Sequence, residues 1–183
     1  MNHVGAGPII QHISESKAPK TNLLLLDRDG TLNFDEGYTH KTSALKIIKN
    51  NVKNIREFAG ENTVIYCISN QSGIGRGFFT VSDVENFNKK LAIELKSYKL
   101  NIEKFIFCPH VPEDKCFCRK PQTEMIEIAL QYSLTSKAKS TFIGNTNSDA
   151  LASLRAGINY IDVGSSSFKR ELRQRREMLD VYN

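Results

Sequence analysis

The sequence predicts an α/β protein, a Rossmann-like three-layer α/β/α sandwich built around a mostly parallel sheet. Short apolar runs rich in branched side chains alternate along the chain with longer segments of helical periodicity. Each run ends near Asp, Ser, Cys or Gly, as buried strands commonly do where they meet a loop. With 183 residues, 40% of them apolar, the chain is long enough for one well-cored domain.

Five apolar runs predict the strands of this sheet. Four consecutive leucines make up the first run, and the other runs are similarly short, so each fits a strand that is buried on both faces. The predicted strands span residues 23–26, 64–68, 105–107, 141–143 and 160–163.

Four segments between the strands predict helices. In the second segment Val84, Phe87, Leu91 and Leu95 recur at the spacing of one helix face, and Pro121 suits the first turn of the third. The predicted helices span residues 45–58, 81–98, 121–134 and 149–156.

The two ends of the chain lie outside this alternating pattern. Residues 1–21 are predicted to form a loosely held, flexible arm, and residues 22–183 a single domain that ends in a basic helix over residues 166–181. Five Lys or Arg residues between 169 and 176 give that helix a basic face. Such a face is more typical of a solvated surface than of a contact with an anionic partner.

Composition and charge disfavour several classes of function. No stretch approaches the roughly 18 apolar residues that cross a bilayer, and the N-terminal residues lack a secretory pattern, so we expect a cytoplasmic protein without a membrane partner. The formal net charge of +5 is modest, and the basic residues are scattered along the chain. A small anionic substrate explains this charge as well as nucleic acid does, and no nucleic-acid partner is expected.

Polar residues follow three of the predicted strands, at the point where each strand ends. Asp27 and Asp29 follow the first strand, Ser69 and Asn70 follow the second, and Asn145 and Asp149 follow the fourth. Ligands of such sheets bind beyond the carboxyl ends of the strands, so we expect one shared site. The alternative is that three unrelated turns happen to carry turn-forming residues.

The first of these groups suggests phosphoryl chemistry. A carboxylate at the end of a buried strand can attack phosphorus and form an aspartyl-phosphate, and Asp27 would be that nucleophile. Such a site needs a hard cation such as Mg²⁺, to which the Asp29 carbonyl could contribute an oxygen. The Asp29 side chain could protonate the leaving oxygen and then activate water.

Three cysteines and a histidine are predicted to bind a metal. Cys108, His110, Cys116 and Cys118 form the pattern C-x-H-x5-C-x-C, with four soft or borderline ligands within eleven residues. This set suits a tetrahedral, structural Zn²⁺ site. Packing of reduced cysteines is the alternative, but the loop offers few apolar partners. Cys67, inside a predicted strand, is more typical of a buried small apolar residue.

Motifs spread over residues 23–163 resemble a known family. The pattern DxDGT after an apolar strand resembles the first motif of the haloacid dehalogenase superfamily. The stretches DRDGTLN, DEGYTH, SNQSGIGRGFFT and CPHVPEDKCFCRKP resemble the D-glycero-D-manno-heptose-1,7-bisphosphate 7-phosphatases and, slightly less, the histidinol-phosphate phosphatases. The resemblance implies a monomeric Mg²⁺-dependent phosphatase of a phosphorylated sugar. It also implies a zinc-clamped loop over the active site in place of a large cap domain.

The resemblance also implies roles for individual residues. Asp27 would be the nucleophile and Asp29 the general acid and base, and both would bind Mg²⁺ together with Asn145. Lys120 would neutralise the transferring phosphate, and Arg119 would recognise the sugar or its second phosphate. The residues implied to donate hydrogen bonds to the phosphate are Ser69 and Asn70. Those implied to line the sugar pocket are Asp35, Gly37, Tyr38, Gln71 and Ser72.

The sequence departs from the fourth motif of the family, GDxxxD. The first Asp of that motif binds Mg²⁺ in the heptose phosphatases and precedes a Lys, whereas GNTNSD here has Asn145 and Thr146. An Asn oxygen can still bind Mg²⁺ but carries no charge, which predicts weaker metal binding. Two interpretations remain: a phosphatase with looser Mg²⁺ binding, and a phosphosugar-binding module with little turnover. Retention of Asp27, Asp29, Ser69, Asn70 and Lys120 favours the phosphatase.

Overall fold

A six-stranded sheet forms the middle layer of the protein, and helices cover both of its faces, as predicted. The structure is a computed structural model that describes residues 7–15 and 20–181, with side chains described up to residue 178. The strands are β1 Ile9–His12, β2 Asn22–Leu26, β3 Thr63–Asn70, β4 Lys104–Cys108, β5 Ser140–Gly144 and β6 Asn159–Asp162. The helices are α1 Lys49–Phe58, α2 Val81–Lys96, α3 Glu124–Ser133, α4 Asn147–Ala156 and α5 Phe168–Val181.

The strand order places β2 inside the sheet, between β3 and β5. The order is β1-β4-β3-β2-β5-β6, in which β2 to β6 are parallel and β1 is antiparallel to β4. The chain first builds outward from β2 through β3 to β4, and then continues on the other side of β2 with β5 and β6. This reversal creates a crevice beyond the carboxyl ends of β2 and β5, where ligands bind in such sheets.

The four leucines of β2 are buried on both faces of the sheet. Each is at most 1% exposed. Leu24 and Leu26 pack with α1, α2 and α5, whereas Leu23 and Leu25 pack with α3 and α4. A continuous apolar run is therefore what this strand requires, because successive side chains point to opposite faces and both faces are covered.

Two helices begin later than the sequence predicts. Helix α1 begins at Lys49 rather than at residue 45, because Ile47 is still held in a bridge to Asn33. Helix α3 begins at Glu124, and Pro121, predicted to lie in its first turn, precedes it after a cis peptide bond. The Gln122 N–H there donates to a carbonyl three residues earlier in a turn, not in a helix.

Residues 9–12, which the sequence places in a loosely held arm, form the edge strand β1. This strand pairs with β4 from Ile9, opposite Phe107, to His12, opposite Lys104. Residues 1–6 and 16–19 of the predicted arm lie outside the described residues. The N-terminal part of the chain therefore contributes a strand to the sheet.

Helix α5 covers the sheet next to α1. Phe168 and Leu172 are buried in the core that α1 and α2 share, and the Arg176 guanidinium donates to the Glu57 carbonyl of α1. Within the described ranges, the helices are all too short or too polar to cross a membrane.

Candidate active site

A cavity of about 740 Å³ opens at the carboxyl ends of the central strands. The residues that the sequence analysis assigns to catalysis, substrate binding or Mg²⁺ all line this one cavity. They are Asp27, Asp29, Asp35, Gly37, Tyr38, Ser69, Asn70, Gln71, Ser72, Arg119, Lys120 and Asn145. Phe34, Ile48 and Ser148 also line it and were not predicted from the sequence.

Lys120 lies between two buried carboxylates at the base of the cavity. Its Nζ is 2.6 Å from Asp27 Oδ1 and 2.6 Å from Asp149 Oδ1, and it also donates to the Ile68 carbonyl at 3.2 Å. Asp27 directly follows β2, where its backbone N–H donates to the Ile143 carbonyl of β5. The central strand thus places Asp27 beside Lys120. The Lys120 ammonium is shared by the Asp27 and Asp149 carboxylates.

This arrangement changes the protonation of the buried groups. Burial raises the pKa of Asp27 to about 7, an effect that Lys120 opposes and Asp149 reinforces. Burial lowers the pKa of Lys120, but Asp27 and Asp149 outweigh that effect, so the pKa is raised above its ordinary value. The lysine therefore stays protonated, and a further positive charge beside Asp27 would favour the ionised form of that carboxylate.

Asn70 holds the backbone of Lys120. The Asn70 side chain accepts from the Lys120 N–H at 3.0 Å and donates to the Lys120 carbonyl at 3.1 Å. The sequence analysis assigned its amide to the phosphate. In the structure the amide joins the end of β3 to the backbone of Lys120 and so positions the lysine, and Asn70 also lines the cavity.

The Asp29 carboxylate accepts hydrogen bonds from three side chains. Arg28 binds both of its oxygens, with a shortest distance of 2.8 Å from Nη2 to Oδ2. Asn33 Nδ2 donates to Oδ1 at 3.0 Å, and Gln71 Nε2 donates to Oδ2 at 2.9 Å. The carboxylate is therefore fixed in the wall of the cavity. Arg28 was not predicted as a site residue, although its place between the two aspartates was a visible signal.

Three oxygen-bearing groups converge on the amide end of Asn145. One terminal atom of that amide lies 3.2 Å from Asp27 Oδ2, 3.2 Å from the Asp29 carbonyl oxygen and 3.3 Å from Thr31 Oγ1. With nitrogen at that position, the amide donates to these oxygens. With oxygen there, its distances to these three oxygens are close to the roughly 3.0 Å between neighbouring ligands of an octahedral Mg²⁺. The donor set fits this ion.

Gly30 allows Asn145 to approach this closely. Its φ of +82° lies in the left-handed region, and a Cβ at this position would stand 2.2 Å from Asn145 Nδ2. A side chain at residue 30 would therefore push the amide away from Asp27 and Asp29.

Thr146 and Asp149 form the N-terminal cap of α4. Asp149 Oδ2 accepts from the backbone N–H of Asn145 at 3.2 Å, and from the Thr146 N–H and Oγ1 at 3.0 and 2.8 Å. Thr146, which stands where the resembling family has Lys, is a capping residue here. Asp149 therefore both orients the backbone of Asn145 and pairs with Lys120.

A short loop forms one rim of the cavity. Asp35 Oδ1 accepts from the Gly37 N–H and from the N–H and hydroxyl of Thr39, which closes the loop on itself. The loop presents Tyr38, whose ring packs edge-to-face against Phe78 with the centroids 5.0 Å apart. Both rings are exposed, so the rim offers apolar surface to a ligand.

The predicted zinc ligands come together at the carboxyl end of β4. The ligand atoms of Cys108, His110, Cys116 and Cys118 all lie within 4.8 Å of one another, and the closest sulfurs are 3.1 Å apart. Sulfur ligands of a tetrahedral Zn²⁺ are about 3.8 Å apart, so a small expansion would admit the ion. A hydrogen bond from the Cys118 thiol lowers the pKa of Cys108 to about 6, which makes a thiolate available. The four groups therefore fit zinc.

The cysteine cluster is connected directly to the cavity. Arg119 and Lys120 follow Cys118 in the chain, and the Arg119 guanidinium donates to the His110 carbonyl at 3.3 Å. The position of both cations thus depends on the loop that the cluster closes.

Comparison with known proteins places the chain among phosphatases. The family model described as polynucleotide kinase 3 phosphatase matches residues 22–164. A D-glycero-beta-D-manno-heptose-1,7-bisphosphate 7-phosphatase of Helicobacter pylori is 35% identical over 136 residues, which cover 74% of this chain and 79% of that protein. A D-glycero-alpha-D-manno-heptose-1,7-bisphosphate 7-phosphatase of Campylobacter jejuni is 30% identical over 168 residues, covering 89% and 96%.

A solved structure shares the fold. The D,D-heptose 1,7-bisphosphate phosphatase of B. bronchiseptica, crystallised with magnesium and phosphate, superposes with a TM-score of 0.73. The match is 24% identical and covers 84% of this chain and 87% of that one.

Proposed function

Since the chain belongs to the haloacid dehalogenase-like phosphatases, in the family of the heptose-1,7-bisphosphate 7-phosphatases, we propose that it hydrolyses a phosphate monoester of a phosphorylated heptose. Members of this family are phosphoric monoester hydrolases. The observation that carries the proposal is the buried Asp27 carboxylate, held beside Lys120 in a cavity that Asp29 also lines.

The proposed reaction has two steps. Asp27 Oδ1 attacks phosphorus while the bond to the sugar oxygen breaks, and Asp29 gives that oxygen its proton. Asp29 then takes a proton from a water that attacks the aspartyl-phosphate, which releases inorganic phosphate and restores Asp27. Lys120, already 2.6 Å from Asp27 Oδ1, stabilises the charge on the transferring phosphoryl group.

Mg²⁺ would be held by Asp27 Oδ2, the Asp29 carbonyl and Asn145 Oδ1, and it would reduce the repulsion between phosphate and the attacking carboxylate. The Asn145 amide must present its oxygen for this purpose. Because that oxygen is neutral, the protein would bind Mg²⁺ less tightly than a relative with Asp at this position.

The substrate is proposed from the relatives' names and from the cavity. A cavity of about 740 Å³ has room for a sugar beyond the phosphate, and Arg119 at its wall supplies a guanidinium that suits a second phosphate or a pair of hydroxyls. Histidinol phosphate is the alternative substrate, from the related phosphatases.

Phosphate release from a panel of substrates tests the function. With Mg²⁺ present, D-glycero-D-manno-heptose 1,7-bisphosphate should give a higher kcat/KM than histidinol phosphate or a 3′-phosphorylated oligonucleotide. Phosphorus NMR of the product identifies which phosphate leaves, and loss of the 7-phosphate is expected. If the protein binds the heptose bisphosphate but releases no phosphate from any substrate, it is a binding module and the proposal is wrong.

Replacing Asn145 by Asp should strengthen Mg²⁺ binding by about tenfold or more, since a full charge then faces the ion. Calorimetric titration with Mg²⁺ measures the affinity, and kcat at low Mg²⁺ should rise with it. Asn147→Asp adds the same charge two residues away and should have little effect. Unchanged affinity and turnover, even with Thr146→Lys added to Asn145→Asp, would favour the binding module.

We also propose that the cysteine loop binds one structural Zn²⁺. Metal analysis should find about one Zn per chain, and Cys118→Ser should lose the metal and lower the free energy of unfolding, because binding and folding of such a loop are coupled. Cys67→Ala removes a buried cysteine outside the cluster and should keep the metal. A zinc content far below one per chain, with a stability indifferent to chelator, would contradict the assignment.

A further inference from the structure

Arg28 is a buried cation that the proposed reaction does not use. Its side chain is completely buried and is absent from the wall of the cavity, although it lies between Asp27 and Asp29 in the chain. Its nitrogens are directed to the Asp29 carboxylate: Nε lies 3.1 Å from each carboxylate oxygen, and Nη2 lies 2.8 Å from Oδ2.

An arginine that binds both oxygens of a carboxylate, here called a fork, fixes the orientation of that carboxylate as well as its distance. A guanidinium is planar and presents its N–H groups in a fixed geometry, so two contacts with one carboxylate define the plane of that carboxylate. A lysine ammonium would neutralise the charge without defining the plane. Asp29 remains partly exposed, with 22% of its side chain accessible, whereas Arg28 is at 1%. Arg28 therefore holds the carboxylate from its buried side, while Asp29 itself lines the cavity.

The guanidinium is itself held on its other sides. Nη2 donates to the Thr39 carbonyl at 2.9 Å and to Gln71 Oε1 at 3.1 Å, and Nη1 donates to Asn88 Oδ1 at 3.2 Å. The Phe87 ring packs against the guanidinium, and the guanidinium carbon lies 4.6 Å from the ring centroid. Two of these contacts come from α2, so a core helix fixes the arginine.

A second layer of hydrogen bonds supports Asn88. Asn88 Nδ2 donates to Gln11 Oε1 of β1 at 3.1 Å, and Gln11 Nε2 donates to the Glu85 carbonyl of α2 at 2.9 Å. Gln11 and Asn88 are both buried. A chain of polar contacts therefore extends from the edge strand through α2 to Asp29, and it satisfies buried groups that would otherwise be unpaired.

We propose that Arg28 is a positioning residue, which holds the Asp29 carboxylate in the one orientation from which it exchanges a proton with the leaving oxygen. This inference rests on the proposed function, because it requires Asp29 to be the proton donor. Stability alone is a weak reason to bury such an ion pair, since a well-packed apolar pair stabilises a core as well or better.

Two substrates with different leaving groups separate this role from a structural one. An aryl phosphate releases a phenolate that departs without protonation, whereas an alkyl or sugar phosphate releases an alkoxide that needs a proton. The value of kcat/KM reports the steps up to departure of the leaving group. Loss of proton donation should therefore lower kcat/KM for the alkyl substrate selectively, while a general loss of structure lowers both.

Arg28→Lys is the informative variant, because it keeps the charge and removes the fork. We expect kcat/KM for the alkyl phosphate to fall about 10- to 100-fold, and that for the aryl phosphate to change less than about threefold. Arg175→Lys is the matched control: Arg175 also donates to a carbonyl, that of Ala138, far from the cavity, and neither substrate should be affected. Equal losses for both substrates in a folded Arg28→Lys would overturn the proposal.

Asp29→Asn separates the positioning role of Arg28 from the role of Asp29 as proton donor. Selective loss of alkyl phosphate turnover in Asp29→Asn, without it in Arg28→Lys, would overturn the role of Arg28 alone. Absence of selectivity in Asp29→Asn would overturn the assignment of the proton donor, and the role of Arg28 with it.

If thermal unfolding shows that Arg28→Lys does not fold, Asn88→Ala replaces it: this change removes a support of Arg28 and should give the same selectivity, with a smaller factor. Equal effects on both substrates in Asn88→Ala would then count against the proposal.

Discussion

Asp27→Asn is expected to lower kcat for phosphate release by about 10⁴-fold or more, as removal of a catalytic nucleophile typically does. The Asn amide has nearly the same shape as the carboxylate but cannot attack phosphorus. Because Lys120 keeps Asp149 as a partner at 2.6 Å, the fold should tolerate the change. Steady-state release of inorganic phosphate measures the effect.

The control for this variant is Asp162→Asn, which changes a carboxylate at the end of β6 and should retain full activity. Beryllium fluoride with Mg²⁺ provides a second measurement, since it mimics a phosphoryl group bonded to the nucleophile. Fluorine NMR should show bound beryllofluoride in the unmodified protein and none in Asp27→Asn. Activity that survives in Asp27→Asn, or an adduct on another residue, would reject the mechanism.

Lys120→Met is expected to affect stability and activity together. The change leaves the Asp27 and Asp149 carboxylates buried without a cation, which should lower the free energy of unfolding by about 3–5 kcal/mol. It also removes the ammonium beside the transferring phosphoryl group, so kcat should fall by at least about 10²-fold. Urea unfolding and phosphate release, measured under conditions where the variant is folded, check both effects.

Lys104→Met is the matched control, because Lys104 is also a buried lysine. Its ammonium lies over the rings of Tyr66 and Tyr132, at 5.3 and 5.2 Å from the centroids, and it is absent from the cavity wall. This variant should lose stability while each folded molecule keeps its turnover. Lys120→Met with unchanged kcat would show that the lysine supports the fold only.

The parallel core of the fold could be predicted from local pattern. A run such as residues 23–26 has one explanation in a globular domain, a strand buried on both faces, and the helical segments between such runs require parallel connections. Strand β1 could not be predicted, because four residues are too short for a clear alternation. Its strand conformation depends on the open edge of β4, which is a property of the assembled sheet.

The candidate site was predictable to the level of which residues converge. The rule that ligands bind at strand ends predicts that Asp27, Ser69 and Asn145 lie together, and all three line the cavity. The partners of each side chain were not predictable, because they depend on distances across the fold. The contact of Asn70 with the Lys120 backbone and the contact of Arg28 with Asp29 are two examples that only the structure shows.

The position of Gln11 has a practical consequence for shortening the chain. Residues before β2 lie outside the alternating strand and helix pattern, and trimming them would look harmless. Removal of β1 would nevertheless expose the Asn88 amide to water and loosen the layer beneath Asp29. A trimmed protein could then fold with its cavity residues intact and still turn over poorly, so kinetic work on this enzyme should begin with the N-terminal strand in place.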